Sequence, residues 1–201
     1  MAYFSDRPCE IDAKTALGLL NAPLAELGGR PDALRRKLHS NRAYYTVNAA
    51  ITYSNICETL CPICSFGKKE GADGAYLLTP DEVAKRAAKF SQMGAEEIHI
   101  IGGMYSKLPL SYYLDVVKAV KGADKKLNVV AFTVSECVLM SRVSGKPLGE
   151  VYELLKLAGV DALPGGGAEI FDQSVRDKIA PKKLTADEWL DAMRTAHTHG
   201  L

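Results

Sequence analysis

The sequence predicts an α/β protein on a parallel sheet, the front part of a (β/α) barrel. Three observations carry that reading. Strand and helix patterns alternate from Tyr44 onward, the strand runs are apolar enough to be buried on both faces, and every loop with unusual residues follows a strand. Strands covered by helices on both faces read as continuous apolar runs.

The elements follow in order. Residues 10–39 read as helical, because DAKTALGLLNAPLAELGG and PDALRRKLH set Leu and Ala at helical spacing, with breaks expected at Pro23, Gly28, Gly29 and Pro31. This helical N-terminal segment is taken as residues 1–43 and the barrel portion as 44–201. YYTVNAAITYS is rich in β-formers and runs into a loop that carries three cysteines. TPDEVAKRAAKFSQMG is a helix with Thr79 at the N-cap, Pro80 at the first helical position, acids in the first turn and Gly94 past the end. EIHIIGG then reads as a strand, LSYYLDVVKAVKG as a helix and LNVVAFTV as a strand; TVSEC follows as a loop. PLGEVYELLKLAG is the next helix, VDALPGGG a short strand and TADEWLDAMRTAHTHG a helix. These are four βα units, and the pattern would start a fifth at Leu201. Four strands cannot close a barrel, so the edge near VDALPGGG is expected to expose unpaired backbone groups and to favour self-pairing.

Composition narrows the class of function. The chain has 201 residues, 47% hydrophobic and 24% charged, as expected of a folded domain or part of a larger one. A formal net charge of +1 supplies no global field for nucleic acid or anionic lipid. The apolar runs fall short of the roughly 20 residues that span a bilayer. MAYFSDRPCEIDAKTALGLL carries acids and lacks a basic start and an apolar core, so no secretory signal is read and a cytoplasmic protein is expected. Five cysteines, three of them clustered, do not make a disulfide framework; in a reducing compartment such a cluster more often binds metal.

The cluster lies in YSNICETLCPICSF, where Cys57, Cys61 and Cys64 crowd together while Cys9 and Cys137 are single and distant. A structural zinc site wants four ligands in a closed tetrahedron, and no His falls near these three at ligand spacing. A cuboidal 4Fe–4S cluster needs one outer ligand per iron, so three thiolates leave one iron open to chelate a substrate. The alternatives are a degenerate structural zinc or iron–sulfur module and incidental core thiols. Loops at the C-terminal ends of parallel strands converge on one face, so the other strand-end loops join this site. Gly102 and Gly103 end the second strand, where missing side chains admit close backbone approach, to a ligand or within a tight turn. Glu136 is a candidate acceptor of hydrogen bonds from a ligand, against a solvated loop acid. Gly165, Gly166 and Gly167 read as close packing against a ligand, with Glu169 as a polar contact. Arg176 has the fork to hold a carboxylate bidentately, against a surface basic residue on a helix. His99 reads as a satisfied interior histidine, and His197 and His199 as complements to a helix dipole.

The spacing C-x3-C-x2-C resembles the signature of the radical S-adenosylmethionine (SAM) superfamily. That resemblance implies a 4Fe–4S cluster on Cys57, Cys61 and Cys64, with SAM bound at the open iron and cleaved to a 5′-deoxyadenosyl radical. It likens Gly102-Gly103 to the motif that meets the SAM amino group. Over nearly its whole length the chain resembles the menaquinone-biosynthesis enzymes of the futalosine pathway, most closely the aminofutalosine synthase family. NRAYYTVNAAITYSNIC, EIHIIGG, LPLSYYLDVVKAVK, AFTVSE and AGVDALPGGGAEIFDQSVRDKIAPKKLTADEWL carry this likeness. The family implies addition of the adenosyl radical to 3-[(1-carboxyvinyl)oxy]benzoate, then rearrangement and loss of the carboxylate to give aminodeoxyfutalosine. It also implies an electron donor such as flavodoxin or ferredoxin. The sister cyclic dehypoxanthinyl futalosine synthase shares much of the PGGGAEIF segment and is the alternative within enzymes.

Overall fold

The computed structural model describes residues 12–201, in two compact units, one ending at Tyr45 and the other spanning Thr46–Leu201. Cys9 lies outside the described residues. In the first unit, Asp12 caps α1 (Ala13–Leu19) by accepting from the Thr15 amide at 2.7 Å. Helix α2 (Leu24–His39) runs through Gly28, Gly29 and Pro31. Only residues 20–23 interrupt the helices, so three of the four expected breaks do not occur. Flanking Leu, Ala and Arg have high helix propensity, and that preference carries the chain through the weak formers.

The second unit is built on β1 (Asn48–Thr52), β2 (Glu97–Ile101) and β3 (Asn128–Ala131), all parallel, in the order β1-β2-β3. Helices α3 (Pro80–Gln92) and α4 (Leu110–Ala123) make the crossovers that parallel neighbours require. Thr79 and Glu82 form the capping box at the start of α3, and Gly94 takes a positive φ of 91° past its end. Ile51, Ile98, Ile100 and Val129 share a core with Val83 and Ala87 of α3 and Val116, Val117 and Val120 of α4. Burial alternates along the strands rather than running through them: Ile98 and Ile100 are buried, whereas Glu97 and His99 are half-buried. One face of the sheet is therefore fully covered and the other partly open.

After β3 the chain departs from the expected pattern. TVSEC is not a loop, because α5 (Val134–Ser144) begins there with a second capping box, Thr133 with Glu136. Helix α6 (Leu148–Ala158) follows as expected. The predicted fourth strand shrinks to one parallel bridge, Val130 with Ala162, so the described sheet has three strands rather than four. Ala131 donates to the Ala162 carbonyl at 2.9 Å, and Asp161 donates to that of Val129 at 2.8 Å. Pairing stops there because Pro164 has no N–H and three glycines follow, which lose the most entropy in a strand. Helices α7 (Gln173–Ile179) and α8 (Ala186–Thr198) complete the unit, α8 with a third capping box, Thr185 with Glu188.

The core assignment predicts a sharp contrast. Ile100 is fully buried and Leu157 is 84% exposed. Ile100→Ala should cost about 2–5 kcal/mol of unfolding free energy in urea, and Leu157→Ala should stay within about 0.5 kcal/mol.

Candidate functional site

The three strand ends are tied together by one carboxylate. Glu136, in the first turn of α5, is 1% exposed. Its Oε1 accepts from the Tyr53 hydroxyl at 2.7 Å and from the Gly102 amide at 3.0 Å. Its Oε2 accepts from the Thr133 amide at 2.8 Å and the Thr133 hydroxyl at 2.6 Å. Tyr53, Gly102 and Thr133 lie just past β1, β2 and β3, so this side chain sets the mutual position of all three loops. Burial pushes the Glu136 carboxyl up to about 7, against hydrogen bonds from Thr133, Tyr53 and Gly102 that favour its charged form. Burial, then the Glu136 charge, also pushes the Tyr53 phenol well above its ordinary value. The Tyr53 ring is held edge-on by Tyr113 and Phe132, at centroid distances of 5.7 and 5.6 Å.

The two glycines after β2 make this packing possible. A Cβ on Gly102 would stand 2.4 Å from the Tyr53 ring, and one on Gly103 would stand 2.0 Å from the Ile56 carbonyl oxygen. The close approach expected of a ligand is thus first an approach of the protein to itself. The Gly103 amide donates to the Ser54 carbonyl at 2.9 Å, and the Glu58 amide to that of Met104 at 2.8 Å. These bonds fasten the cysteine loop along the end of β2. Asn55 fixes its far side, donating to the Gly74 carbonyl and accepting from the Tyr76 amide.

On this frame Cys57 is half-buried, Cys61 buried and Cys64 exposed, all with free thiols. Burial pushes the Cys57 thiol up, but hydrogen bonds from the Thr59 hydroxyl and the Leu60 and Met104 amides outweigh it and hold the thiol below its usual value. The three cysteines line one cavity of about 380 Å³ with Gly102, Gly103, Thr133, Gly166 and Gly167. Phe66 also lines it while remaining 45% exposed. Among the described residues, no three His, Cys, Asp or Glu side chains group tightly enough for a single metal ion. A cubane cluster does not ask this of its thiolates, because each binds a different iron. Three thiols lining one cavity, one of them held below its usual pKa, fit such a cluster.

The remaining expected residues divide. Gly166 and Gly167 reach the cavity wall, whereas Gly165 has open space around it and does not line it. Glu169 forms an ion pair with Lys183, a cavity-lining residue that sequence reasoning missed. Glu136 is a buried helix-cap acid rather than a loop acid facing a ligand. Arg176 is 1% exposed, and its guanidinium donates to the carbonyls of Gly167, Ala168, Ile170 and Leu184. That fork is occupied by backbone, so it clamps the glycine loop and is not free to hold a carboxylate. His99 is half-buried and pairs with Glu97 at 2.6 Å. His199 caps α8, and His197 sits in its last turn, both away from the cavity.

Two outcomes test this geometry. Gly103→Ala should displace the cysteine loop and lose most of the iron–sulfur absorbance after anaerobic reconstitution, whereas Gly165→Ala should keep it. Glu136→Gln should cost about 1–3 kcal/mol, because an amide cannot accept from four donors and sets N–H against N–H. The folded carboxyl holds its proton from 4.5 up to about 7, so the stability it contributes is present below that window and declines as pH rises through it. Urea denaturation on either side of the window should show this slope in the natural protein and not in Glu136→Gln.

Residues 51–201 match the Radical SAM superfamily. The chain is 39% identical over 168 residues to aminodeoxyfutalosine synthase of Thermus thermophilus, covering 84% of this chain and 45% of that protein. It is 37% identical over 170 residues to 5-amino-6-(D-ribitylamino)uracil–L-tyrosine 4-hydroxyphenyl transferase of Archaeoglobus fulgidus, covering 85% of this chain and 48% of that one. It thus spans about half the length of these curated relatives. Among solved structures, methylornithine synthase (PylB) superposes with a TM-score of 0.67 at 17% identity, over 93% of this chain and 52% of that one. HydG, a maturase of the [FeFe]-hydrogenase, does so with a TM-score of 0.66 at 22% identity, over 94% and 41%. Likenesses this distant in sequence speak for the fold. With the family match covering the sheet, the cysteine loop and the cavity wall, the chain belongs to the radical SAM superfamily, whose members bind a 4Fe–4S cluster and use SAM.

Proposed function

We propose that this protein joins the adenosyl group of SAM to 3-[(1-carboxyvinyl)oxy]benzoate, the reaction of an aminodeoxyfutalosine synthase. The observation that carries this reading is the 39% identity to the Thermus thermophilus enzyme across 84% of the chain. The bound cluster and SAM would supply a 5′-deoxyadenosyl radical. This chain's own residues hold and enclose it. Cys57, Cys61 and Cys64 are assigned as the cluster ligands. The backbone at Gly102, Gly103, Gly166 and Gly167 is assigned to the SAM-facing wall, and Glu136 keeps those segments in register. Arg176 and the Glu169–Lys183 pair set the position of the glycine loop that closes the cavity. Enclosure matters because a primary carbon radical abstracts hydrogen from any donor within reach. The reading requires a small-molecule substrate and an external electron donor such as flavodoxin or ferredoxin. It places the protein in the cytoplasm, and no described helix is long and apolar enough to cross a membrane.

The 37% identity to the Archaeoglobus fulgidus transferase supports a second reading, in which the hydroxyphenyl group of L-tyrosine is joined to ribitylaminouracil. Product analysis separates the two. Anaerobically reduced protein supplied with SAM and the carboxyvinyl substrate should yield a product that carries the adenosyl group covalently. A hydroxyphenyl-bearing ribitylaminouracil, formed from L-tyrosine when the carboxyvinyl substrate gives nothing, would replace the first reading with the second. Either reading needs the same ligands. Cys57→Ala, Cys61→Ala or Cys64→Ala should abolish SAM cleavage, and Cys137→Ala, buried on α5, should retain it.

A further inference from the structure

The structure assigns a carboxylate-binding pocket that the cysteines do not reach. A second cavity of about 190 Å³ adjoins the first and shares Met104, Ser135 and Lys183 with it. This volume is below the roughly 300–1,000 Å³ of sites for drug-sized ligands and suits one aromatic ring with its acid group. Three cations line it, Arg142, Lys182 and Lys183, against one anion, Glu188. Their existing partners leave charge to spare. Lys183 is paired with Glu169, and Arg142 meets Glu188 only at 3.7 Å. Lys182 has no carboxylate partner among the described residues and reaches only the Glu58 carbonyl, at 3.4 Å.

Ser135 is 3% exposed, borders both cavities, and its hydroxyl is buried without a hydrogen-bond partner. It stands in the first turn of α5, where the Val134 and Ser135 amides donate to no acceptor among the described residues. The surplus of cations calls for an anion with acceptor oxygens; the Ser135 hydroxyl and the start of α5 lie under the Gly167 backbone and are not offered to it. Arg176, the residue whose chemistry first suggested a carboxylate partner, is fully engaged by backbone, so this role passes to Lys182 and Arg142.

We propose that the second cavity takes the ring carboxylate of an aromatic dicarboxylic acid, whose other end then lies in the first cavity beside the cysteines. This rests on the aminodeoxyfutalosine synthase reading, and the test separates the two. The probe is 3-(carboxymethoxy)benzoate, an unreactive dicarboxylate, titrated by calorimetry into cluster-loaded full-length protein. Arg142→Glu combined with Lys182→Glu should raise its Kd at least tenfold. The same variant should leave the Kd of phenoxyacetate, which lacks the ring carboxylate, within about twofold, and the iron–sulfur absorbance unchanged. Equal Kd values for the dicarboxylate in the natural and variant proteins, or an equal loss for phenoxyacetate, would overturn the pocket. Failure of the natural protein to form an adenosyl product overturns the functional reading alone, because the binding comparison needs no turnover.

Discussion

A buried carboxyl group bonded by four donors at the ends of three strands is the constraint on which this site depends. Taking an ionised carboxyl out of water is costly, and only a full set of hydrogen bonds offsets it. Glu136 receives that set from the ends of three different strands, the third through Thr133, which is also the cap of its own helix. Each bond is made to one oxygen pair, so moving any strand end weakens the others. The cysteine loop inherits this rigidity, because Tyr53 lies four residues before Cys57 and Gly103 is bonded to Ser54. A cluster loop on a mobile strand end would leave its thiolates poorly placed, whereas here the loop begins at a fixed point.

The glycines follow from the same constraint. Gly102 must lack a side chain for the Tyr53 ring to pass beneath Glu136, and Gly103 must lack one for the cysteine loop to lie against β2. Gly167, at a φ of 93°, would set a Cβ 2.8 Å from the Ser135 hydroxyl, so its backbone covers the start of α5. Arg176 then secures that loop through four carbonyls. Part of the cavity wall is therefore glycine backbone brought close by missing side chains and held by two buried groups, Glu136 and Arg176.

Much of this was legible where the cause is local. The cap at Thr79, the apolar runs of β1 to β3 and the spacing of three cysteines depend on neighbours in sequence, and each appears where those neighbours put it. The Thr133-x-x-Glu136 box is equally local and identifies α5, but a strand assigned through Val134 hid it. Pro164 and the glycine run were likewise visible, and they limit the fourth strand to a bridge. Other features have distant causes. Tyr53 is 83 residues from Glu136, so nothing near either residue marks their bond. A glycine kept for a ligand and one kept for a neighbouring ring have the same sequence signature, so Gly102 could not be assigned from the chain alone. Arg176 looks like a surface basic residue until four carbonyls are found around it.

The proposed chemistry turns on an iron left open by three thiolates. The most direct measurement is hyperfine spectroscopy of the reduced, anaerobically reconstituted protein with SAM labelled isotopically at its amino nitrogen and carboxylate oxygen. Coupling of both labels to one iron of a 4Fe–4S cluster, lost when any of Cys57, Cys61 or Cys64 is changed to Ala, is the result predicted. A cluster that shows no coupling to either label, or zinc bound with no cluster absorbance, would contradict it.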